Sequence, residues 1–259
     1  ADSGCSVDDA AFFSDPEFGR FYGRSVFRID RNDVNAEMVG SWFGQVAHKF
    51  DIEWEIFDTS APKKVMIMVS KFDHCLNDLL YRYRIGALPM EVTAIVSNHP
   101  DAQPLADAAG IPYHHIPVSK DTKLEAETRL YALIERTGTD LVVLARYMQV
   151  LSDDLCRKLD GRVINIHHSF LPGFKGAKPY HQAFARGVKL IGATAHFVTA
   201  DLDEGPIIEQ GVERIDHTTM PDQMVAIGRD LESVALARAV GYVLERRVLM
   251  NGAKTVVFR

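Results

Sequence analysis

Cysteine is scarce in this sequence, which has three among its 259 residues: Cys5, Cys75 and Cys156. They lie far apart and form no Cys-x-x-Cys pair, so the sequence indicates neither a disulfide framework nor a zinc ribbon. Unpaired cysteines are typical of a chain that folds in a reducing compartment. We therefore expect the protein to be cytoplasmic.

The sequence also lacks an excess of positive charge and a long hydrophobic run. Its net charge is −6 and its pI is about 5.9, whereas nucleic acids and anionic membranes bind concentrated basic surfaces. Apolar runs such as Val65–Val69 are far too short to cross a bilayer, and no charged-then-apolar leader follows Ala1. We expect no nucleic-acid partner and no membrane partner. Because Ala1 is not an initiator Met, the sequence leaves open whether the natural chain extends upstream.

The remaining composition is that of an ordinary globular protein, 47% hydrophobic and 25% charged. Residues 1–58 predict a small α+β unit, with a strand over Gly23–Ile29, a helix over Asn35–Phe50 and a strand over Asp51–Phe57. A polar linker that ends in Pro follows at residues 59–62. The main domain is predicted to span residues 63–259.

Strands and helices alternate through the main domain, which predicts an α/β fold built around a parallel sheet. Leu141–Ala145 is almost continuously apolar, as expected of a strand that is covered on both faces. The other predicted strands are Val65–Val69, Val92–Ser97, Tyr113–Ile116, Arg162–His167 and Leu190–Thr199. The predicted helices are Cys75–Ile85, Pro104–Ala109, Lys123–Arg136 and one long helix from Pro221 to about Leu249.

Two polar residues share one face of the predicted strand Arg162–His167. Side chains alternate along a strand, so Asn165 and His167 point to one side, and Ile164, Ile166 and His168 to the other. An amide and an imidazole that converge can hold a carbonyl oxygen and move a proton. The alternative is that His167 is a hydrogen-bonded core histidine and Asn165 a turn former, and the pair alone does not decide between these.

A carboxylate that could complete this pair lies downstream. The segment from Ala200 to Pro206 is a sharply turning acidic loop between two apolar stretches, and it contains Asp203. A solvated turn is the common fate of acidic residues before Gly-Pro, so this loop also has an ordinary structural explanation.

Two motifs together resemble the signature of the folate-dependent formyltransferase-like family. The first is Asn165-x-His167 followed by Ser169-x-Leu171-Pro172, and the second is His196-Phe197-Val198 leading to Leu202-Asp203-Glu204-Gly205-Pro206-Ile207. The resemblance extends from about Lys63 to the C-terminus. It implies a mostly parallel sheet with helices on both faces. The segments Ser70–Leu76 and Gly173–His181 are most similar to the deformylase branch, whose members hydrolyse 10-formyltetrahydrofolate.

The resemblance implies a catalytic triplet of Asn165, His167 and Asp203. Asn165 and protonated His167 would donate hydrogen bonds to the oxyanion as water attacks the formyl carbon, and Asp203 would accept a proton from that water. The substrate is a reduced folate, and no cofactor and no metal are implied. The products are formate and tetrahydrofolate, which link the reaction to one-carbon metabolism and purine synthesis.

The resemblance also places folate recognition on two segments and supporting roles on two histidines. The first segment follows the strand Leu141–Ala145, and the second is the loop that leads to Asp203; apolar side chains in such a pocket can enclose a flat pterin ring. Without the resemblance, core packing and turn formation would explain both segments. Lys175 and Lys178 either meet the glutamate tail or are solvated. The implied substrate-binding residues are Arg146, Tyr147, Met148, Val150, Leu151, Val198, Thr199, Ala200 and Asp201, and the supporting residues are His74 and His196.

Three other functions compete with hydrolysis. A formyltransferase acting on glycinamide ribonucleotide needs a phosphate-binding loop, but the segment Lys71–Cys75 has no glycine to open its backbone and carries Asp73, which repels phosphate. A catalytically inactive amino-acid-sensing module is opposed by the intact triplet. Metal-dependent deformylation is opposed by the absence of a His-Glu-x-x-His motif.

The segment Phe13–Phe21 resembles part of an ACT domain, a βαββαβ module that often binds amino acids. Residues 1–58 resemble only the later part of that module, so we expect a partial ACT-like domain, and the sequence leaves open whether it binds an effector. A strand over Gly23–Ile29 without its usual neighbour would expose an edge that can pair with another subunit. We therefore expect a homo-oligomer.

Overall fold

The computed structural model describes residues 4–171 and 179–259. The chain divides into two compact units, one formed by residues 1–61 with 258–259 and one by residues 62–257. The division between Ala61 and Pro62 falls inside the linker that the sequence predicts. The two units are described separately below. The first is small, and the second contains the extended buried core.

The N-terminal unit is a β-hairpin followed by a helix. Strand β1, Cys5–Asp15, pairs antiparallel with strand β2, Arg20–Ile29, and helix α1 spans Ala36–Lys49. Asn35 caps the helix, because its side chain accepts a hydrogen bond from the backbone N–H of Met38 at 2.9 Å. The sequence prediction included β2 and α1 and missed β1.

The strand predicted over Asp51–Phe57 is wrong. The described chain forms no ladder there, and Asp51 adopts a left-handed backbone with φ 53°. Trp54 in this segment instead packs against α1, where its ring meets that of Phe43 edge-on at 5.3 Å between centroids. The alternating apolar residues that suggested a strand therefore serve to cover a helix.

The second unit is an α/β domain whose central sheet has seven strands in the order β5-β4-β3-β6-β7-β8-β9. Neighbouring strands are parallel from β5 to β7, and the pairs β7–β8 and β8–β9 are antiparallel. The strands are β3 Lys63–Val69, β4 Met90–Ser97, β5 Tyr113–His115, β6 Leu141–Leu144, β7 Val163–His167, β8 Leu190–Phe197 and β9 Ile207–Arg214. The helices are α2 His74–Arg84, α3 Gln103–Ala109, α4 Lys123–Thr137, α5 Asp153–Lys158, α6 Pro179–Arg186 and α7 Pro221–Leu244.

Two clusters of buried side chains cover the opposite faces of this sheet. Alternate residues of β3 enter different clusters, with Ile67 packing beside α2 and α7 and Met66 packing beside α4. This arrangement confirms the predicted mostly parallel α/β fold with helices on both faces. It also explains why the strands read as continuous apolar runs, since both of their faces are buried.

The long C-terminal helix is shorter than predicted. Helix α7 ends at Leu244, Arg246 adopts a left-handed backbone with φ 55°, and a hairpin follows with strands β10 Val248–Asn251 and β11 Lys254–Val257. The two turn residues are Gly252 and Ala253, and Gly252 has φ 62°, the positive φ that the first position of a tight hairpin turn requires. No helix in the described ranges is long and apolar enough to span a membrane.

Candidate active site

Strand β7 and its neighbour β8 bring the first polar residues together. Ile164 and Ile166 enter the buried cluster beside α7, so Asn165 and His167 face the other side of the sheet, which is the alternation that the sequence predicts. In the antiparallel register Asn165 lies directly opposite His196 on β8. The supporting residue His196 is therefore a direct cross-strand neighbour of Asn165.

The contacts of His196 define its tautomer and orient the amide of Asn165. His196 Nδ1 lies 2.8 Å from the backbone oxygen of Phe197, so Nδ1 carries the hydrogen. Nε2 is then an acceptor, and Asn165 Nδ2 donates to it at 3.2 Å. Burial lowers the pKa of His196, and this outweighs the opposing effects of Phe197 and Asp203. His196 is thus a neutral group that fixes which way the Asn165 amide points.

Among the described residues, His167 has a hydrogen-bond partner on one ring nitrogen only. Its Nδ1 lies 3.2 Å from Asp203 Oδ2, and the side chains of both residues are largely buried. Its Nε2 is buried as well and has no hydrogen-bond partner among the residues that the structure describes. A buried imidazole nitrogen is rarely left unsatisfied without a reason, so Nε2 is the atom to expect on a ligand.

The loop between β8 and β9 carries Asp203 in an unfavourable backbone conformation. Asp203 has φ 57°, a left-handed backbone that non-glycine residues seldom adopt outside special sites. Gly205 makes this loop possible, because a Cβ at its position would lie 1.8 Å from the backbone oxygen of Phe197. Gly205 in the Asp-Glu-Gly-Pro sequence therefore allows the loop to pack tightly against the end of β8.

Asp203 remains ionised at neutral pH. Burial alone would raise the pKa of this carboxyl, but the hydrogen bond and the charge of His167 outweigh burial and place the pKa below its usual value. The second oxygen of Asp203 lies 3.8 Å from His196 Nε2. That distance is too long for a hydrogen bond, and His196 Nε2 is itself an acceptor, so the carboxylate hydrogen-bonds His167 and not His196.

A second carboxylate lies on helix α7 and gathers a separate set of partners. Glu232 Oε2 lies 2.8 Å from His74 Nε2 and 3.3 Å from Arg146 Nε, and Tyr180 donates to Oε1 at 3.2 Å. Its side chain is only 2% exposed. We call His74, Arg146, Tyr180 and Glu232 the Glu232 cluster.

The sequence analysis predicted site roles for His74 and Arg146 and missed the other two residues of the Glu232 cluster. The available signal was a charged residue four positions after the buried Gly228, on the helix stripe that faces the core.

The Glu232 cluster holds its carboxylate ionised despite burial. Burial would raise the pKa of Glu232, but the hydrogen bond from His74 and the charge of Arg146 place that pKa below its usual value. His168 lies within electrostatic reach of this cluster and of the catalytic triplet. Burial, followed by the charges of Arg146 and His167, lowers the pKa of His168 to about 4. His168 is therefore neutral at physiological pH.

One group of side chains has metal-ligand chemistry. Ligand atoms of His74, Cys75 and Glu232 lie within 4.8 Å of one another in the described chain. Arg146 already pairs with Glu232 there, and a guanidinium beside a carboxylate opposes a divalent cation. Burial and the charge of Glu232 also raise the pKa of the Cys75 thiol, which disfavours the thiolate that a metal would need. This donor set does not fit a metal ion, and Cys75 packs in the core instead.

The first predicted substrate-binding segment follows β6 and is divided between core and surface. Arg146 has φ 64°, its backbone oxygen accepts from Ser70 N at 3.2 Å, and Ser70 Oγ accepts from Met148 N at 2.9 Å. Tyr147 and Leu151 are buried in the cluster beside α4, whereas Met148 and Val150 are about half exposed. Met148 and Val150 are thus accessible, whereas Tyr147 and Leu151 serve as packing groups.

The second predicted segment is part of the same loop as Asp203. Val198 packs partly against the buried cluster, Thr199 donates its hydroxyl to the backbone oxygen of Asp201 at 3.1 Å, and Ala200 and Asp201 are exposed. These residues therefore form the outer part of the loop that carries the triplet carboxylate. Lys175 and Lys178, predicted for a glutamate tail or for solvent, lie outside the described residues.

This α/β fold, with an Asn, a His and an Asp converging from β7 and the β8–β9 loop, defines a class of formyl-handling enzymes. The formyl transferase family model matches residues 63–240. The match covers more than half of the chain and includes every residue of the triplet. The chain belongs to the formyl transferase family.

Individual relatives narrow the comparison. Formyltetrahydrofolate deformylase of Corynebacterium sp. (strain P-1) is 54% identical over 95% of this chain and 86% of its own length. The solved structure of formyltetrahydrofolate deformylase from Burkholderia mallei has a TM-score of 0.94 and 54% identity, covering 100% of this chain and 91% of that one. A glycinamide ribonucleotide transformylase from Symbiobacterium toebii is more distant, with a TM-score of 0.72 and 27% identity over 80% of this chain and 99% of that one.

Proposed function

We propose that this protein hydrolyses 10-formyltetrahydrofolate to tetrahydrofolate and formate. The observation that carries the proposal is the state of His167, whose Nδ1 is bound to an ionised Asp203 while its buried Nε2 has no partner among the described residues. An imidazole held in this way is ready to meet a substrate oxygen. The high identity to proteins named formyltetrahydrofolate deformylase supports the choice of substrate.

The proposed reaction is the addition of water to the formyl carbon followed by loss of the amine. The Asn165 amide and the Nε2–H of protonated His167 donate to the oxyanion as the carbonyl bond opens, and each such donor contributes roughly 10²–10³ in rate. Asp203 takes a proton from the attacking water. The bond between carbon and the folate nitrogen then breaks, formate leaves, and the proton ends on the nitrogen of tetrahydrofolate.

The substrate-binding assignments remain proposals of residue roles. Met148 and Val150 would line one wall of the folate site, with the buried Arg146, Tyr147 and Leu151 packed behind them. Val198, Thr199, Ala200 and Asp201, in the Asp203 loop, would form the other. In this scheme the chain needs no cofactor and no metal, because protein side chains supply the hydrogen-bond donors and the base.

Water is the proposed acceptor rather than a phosphorylated amine. The segment after β3 lacks glycine, and His74 at the start of α2 is occupied by Glu232 at 2.8 Å. Phe72 in the same segment is flanked by two guanidinium groups, Arg146 at 5.6 Å and Arg229 at 5.8 Å from the ring centroid. These side chains fill the region after β3, where a glycine-rich loop would expose its backbone to phosphate.

We further propose a setting for this activity. The enzyme would act in the cytoplasm and balance one-carbon pools, with formate serving purine synthesis. It would work as a homo-oligomer, and the N-terminal unit would be a partial ACT-like module. The many exposed aromatic residues of that unit, including Phe12, Phe21 and Phe50, support an association surface there.

A direct assay tests hydrolysis against transfer. The protein is incubated with 10-formyltetrahydrofolate and no amine, and formate and tetrahydrofolate are measured. We expect both products in equal amounts. Formyl transfer that occurs only after glycinamide ribonucleotide is added would favour the transferase instead. Binding of folate without either reaction would favour the inactive sensing module.

A further inference from the structure

Glu232 is a buried charge that the proposed reaction does not use. It is 2% exposed, lies in the middle of the 24-residue helix α7, and contacts His74, Arg146 and Tyr180. Burying an ion pair costs several kcal/mol in desolvation, and well-packed apolar side chains often stabilise a fold as well or better. Stability alone therefore gives a weak account of this cluster.

The contacts of Arg146 show what the cluster holds. Arg146 is 9% exposed and has a left-handed backbone, and its main chain is tied to Ser70 while its side chain reaches Glu232. The backbone and the guanidinium are thus fixed from two different elements, β3 and α7. A residue with unfavourable backbone dihedrals persists when the surrounding structure enforces them, and such residues concentrate at functional sites.

His168 connects Arg146 to the catalytic triplet. His168 directly follows the last residue of β7, and its ring centroid lies 5.2 Å from that of His167. The charged and titratable groups acting on His168 are Arg146 after β6, His167 on β7, Glu232 on α7 and Asp203 in the β8–β9 loop. Arg146 is the permanently charged cation among them.

We propose that Arg146 and Glu232 form a positioning pair for the reaction, in which Glu232 anchors the guanidinium of Arg146 near His168 and so leaves His167 as the imidazole whose Nε2–H donates to the oxyanion. The inference rests on the proposed function. Neither residue needs to touch the reacting atoms. Their effect is exerted through His168, because two neighbouring imidazoles compete for one proton and a nearby cation disfavours the charge on the closer ring.

Four variants separate this role from a purely structural one. Glu232→Gln removes the anchoring charge, Arg146→Met removes the cation, Arg146→Lys keeps it, and the double variant Glu232→Gln/Arg146→Met removes both charges together. Asp140→Asn is the control, because Asp140 binds the backbone N–H of Lys64 at the opposite end of the strands. For each protein we would measure formate release, thermal unfolding, binding of tetrahydrofolate and the titration of His168 by NMR.

We expect Glu232→Gln and Arg146→Met each to lower kcat by about 10²-fold, as a small displacement of a reacting group does. Binding of tetrahydrofolate should change little in Glu232→Gln, since Ser70 still holds Met148. His168 should titrate at higher pH in Arg146→Met and at its wild-type pH in Arg146→Lys, which should also recover most of kcat. The double variant should recover thermal stability without recovering kcat.

Two results would overturn the proposal. One is a double variant whose kcat returns together with its stability, because the pair would then act only in folding. The other is an unchanged His168 titration in Arg146→Met. A wild-type protein that binds tetrahydrofolate but releases no formate would refute the proposed hydrolysis, and the His168 titration would still decide whether Arg146 controls that imidazole.

Discussion

Asp203 and Glu232 are two buried carboxylates that each bind a histidine, yet they are built in opposite ways. Asp203 sits on a loop in a left-handed conformation, and its histidine, His167, keeps one buried nitrogen without a partner in the described chain. Glu232 sits in the middle of a long helix, and both of its oxygens have partners. We call Asp203–His167 the open pair, because one histidine nitrogen has no partner among the described residues. We call Glu232–His74 the closed pair, because both carboxylate oxygens have side-chain partners.

The comparison teaches that the proposed roles follow the satisfaction of polar atoms rather than the type of residue. A buried polar atom without a partner is costly, so it persists where a ligand completes it. Both oxygens of Glu232 already have side-chain partners, which suits a carboxylate that orients its neighbours rather than one that meets a substrate. His168 lies within the electrostatic influence of both carboxylates and couples the two.

The largest expected effect comes from removing the histidine of each pair. His167→Ala should lower kcat/KM for formate release by roughly 10²–10⁴, because it removes a proton-transfer group and an oxyanion donor. His74→Ala is the matched change at the closed pair and should have a much smaller effect. Steady-state formate release, with circular dichroism to confirm folding, measures both. Equal losses for the two folded variants would erase the distinction between open and closed pairs.

A smaller effect is expected on the pH dependence of stability, through His168. Its pKa is about 4 in the folded protein against 6.5 for the free side chain, so the unfolded chain binds this proton first as pH falls. The contribution of His168 is complete above pH 6.5 and is lost between pH 6.5 and 4, amounting to about 3 kcal/mol at most.

Urea unfolding of the wild type and of His168→Asn between pH 7 and 4 tests this expectation. The variant should lose less stability over that range, because one of the groups that takes up a proton on unfolding is gone. The residual slope should include His196 and His114, whose pKa values are also lowered by burial. Identical slopes in the two proteins would mean that His168 is not held neutral in the folded state.

The smallest effects are expected at the glycines that support each carboxylate. An added Cβ would lie 1.8 Å from the Phe197 backbone oxygen at Gly205 and 2.0 Å from Tyr180 Oη at Gly228. Each alanine substitution should cost about 1–3 kcal/mol of unfolding free energy. Gly205→Ala should also impair kcat directly, because the backbone that carries Asp203 must move.

Gly241→Ala on helix α7 is the control for these two substitutions. Its Cβ would meet Leu88 Cδ2 at 3.6 Å, an ordinary contact, so the variant should be neutral or up to about 1 kcal/mol more stable through better helix propensity. Thermal unfolding ranks the three proteins. A Gly205→Ala protein with unchanged stability and activity would contradict the tight packing of the Asp203 loop on β8.

The sequence predicted the parallel part of the fold well, and it failed where tertiary partners decide. Strands such as Val65–Val69 are recognisable in the sequence as continuous apolar runs, because both of their faces are buried. The segment Asp51–Phe57 has a similar apolar pattern, but its aromatic groups cover helix α1, and sequence alone does not reveal which surface an apolar residue meets. The end of α7 differs from the prediction for another reason, because a single glycine at the turn, Gly252, is a weak local signal beside the apolar residues that continue past Leu244.

The residues of the candidate site that lie close together in the sequence could be predicted as neighbours, and those that lie far apart could not. Strand alternation pairs Asn165 with His167, since two positions along one strand share a face. Asp203 lies far along the chain, and only the resemblance to known enzymes joined it to them. Glu232 and Tyr180 were missed because their partners come from four different elements, and no local pattern in the sequence encodes such a meeting.

The left-handed backbone of Asp203 limits what the genetic code can place there. Glycine and asparagine tolerate that conformation but carry no negative charge, while glutamate carries the charge on a side chain that is longer and less at ease with a positive φ. Aspartate is the standard residue that satisfies the backbone and the proton chemistry together. A position of this kind has no conservative substitute. Every substitution there should therefore impair either the backbone conformation or the charge, even where the rest of the loop tolerates changes.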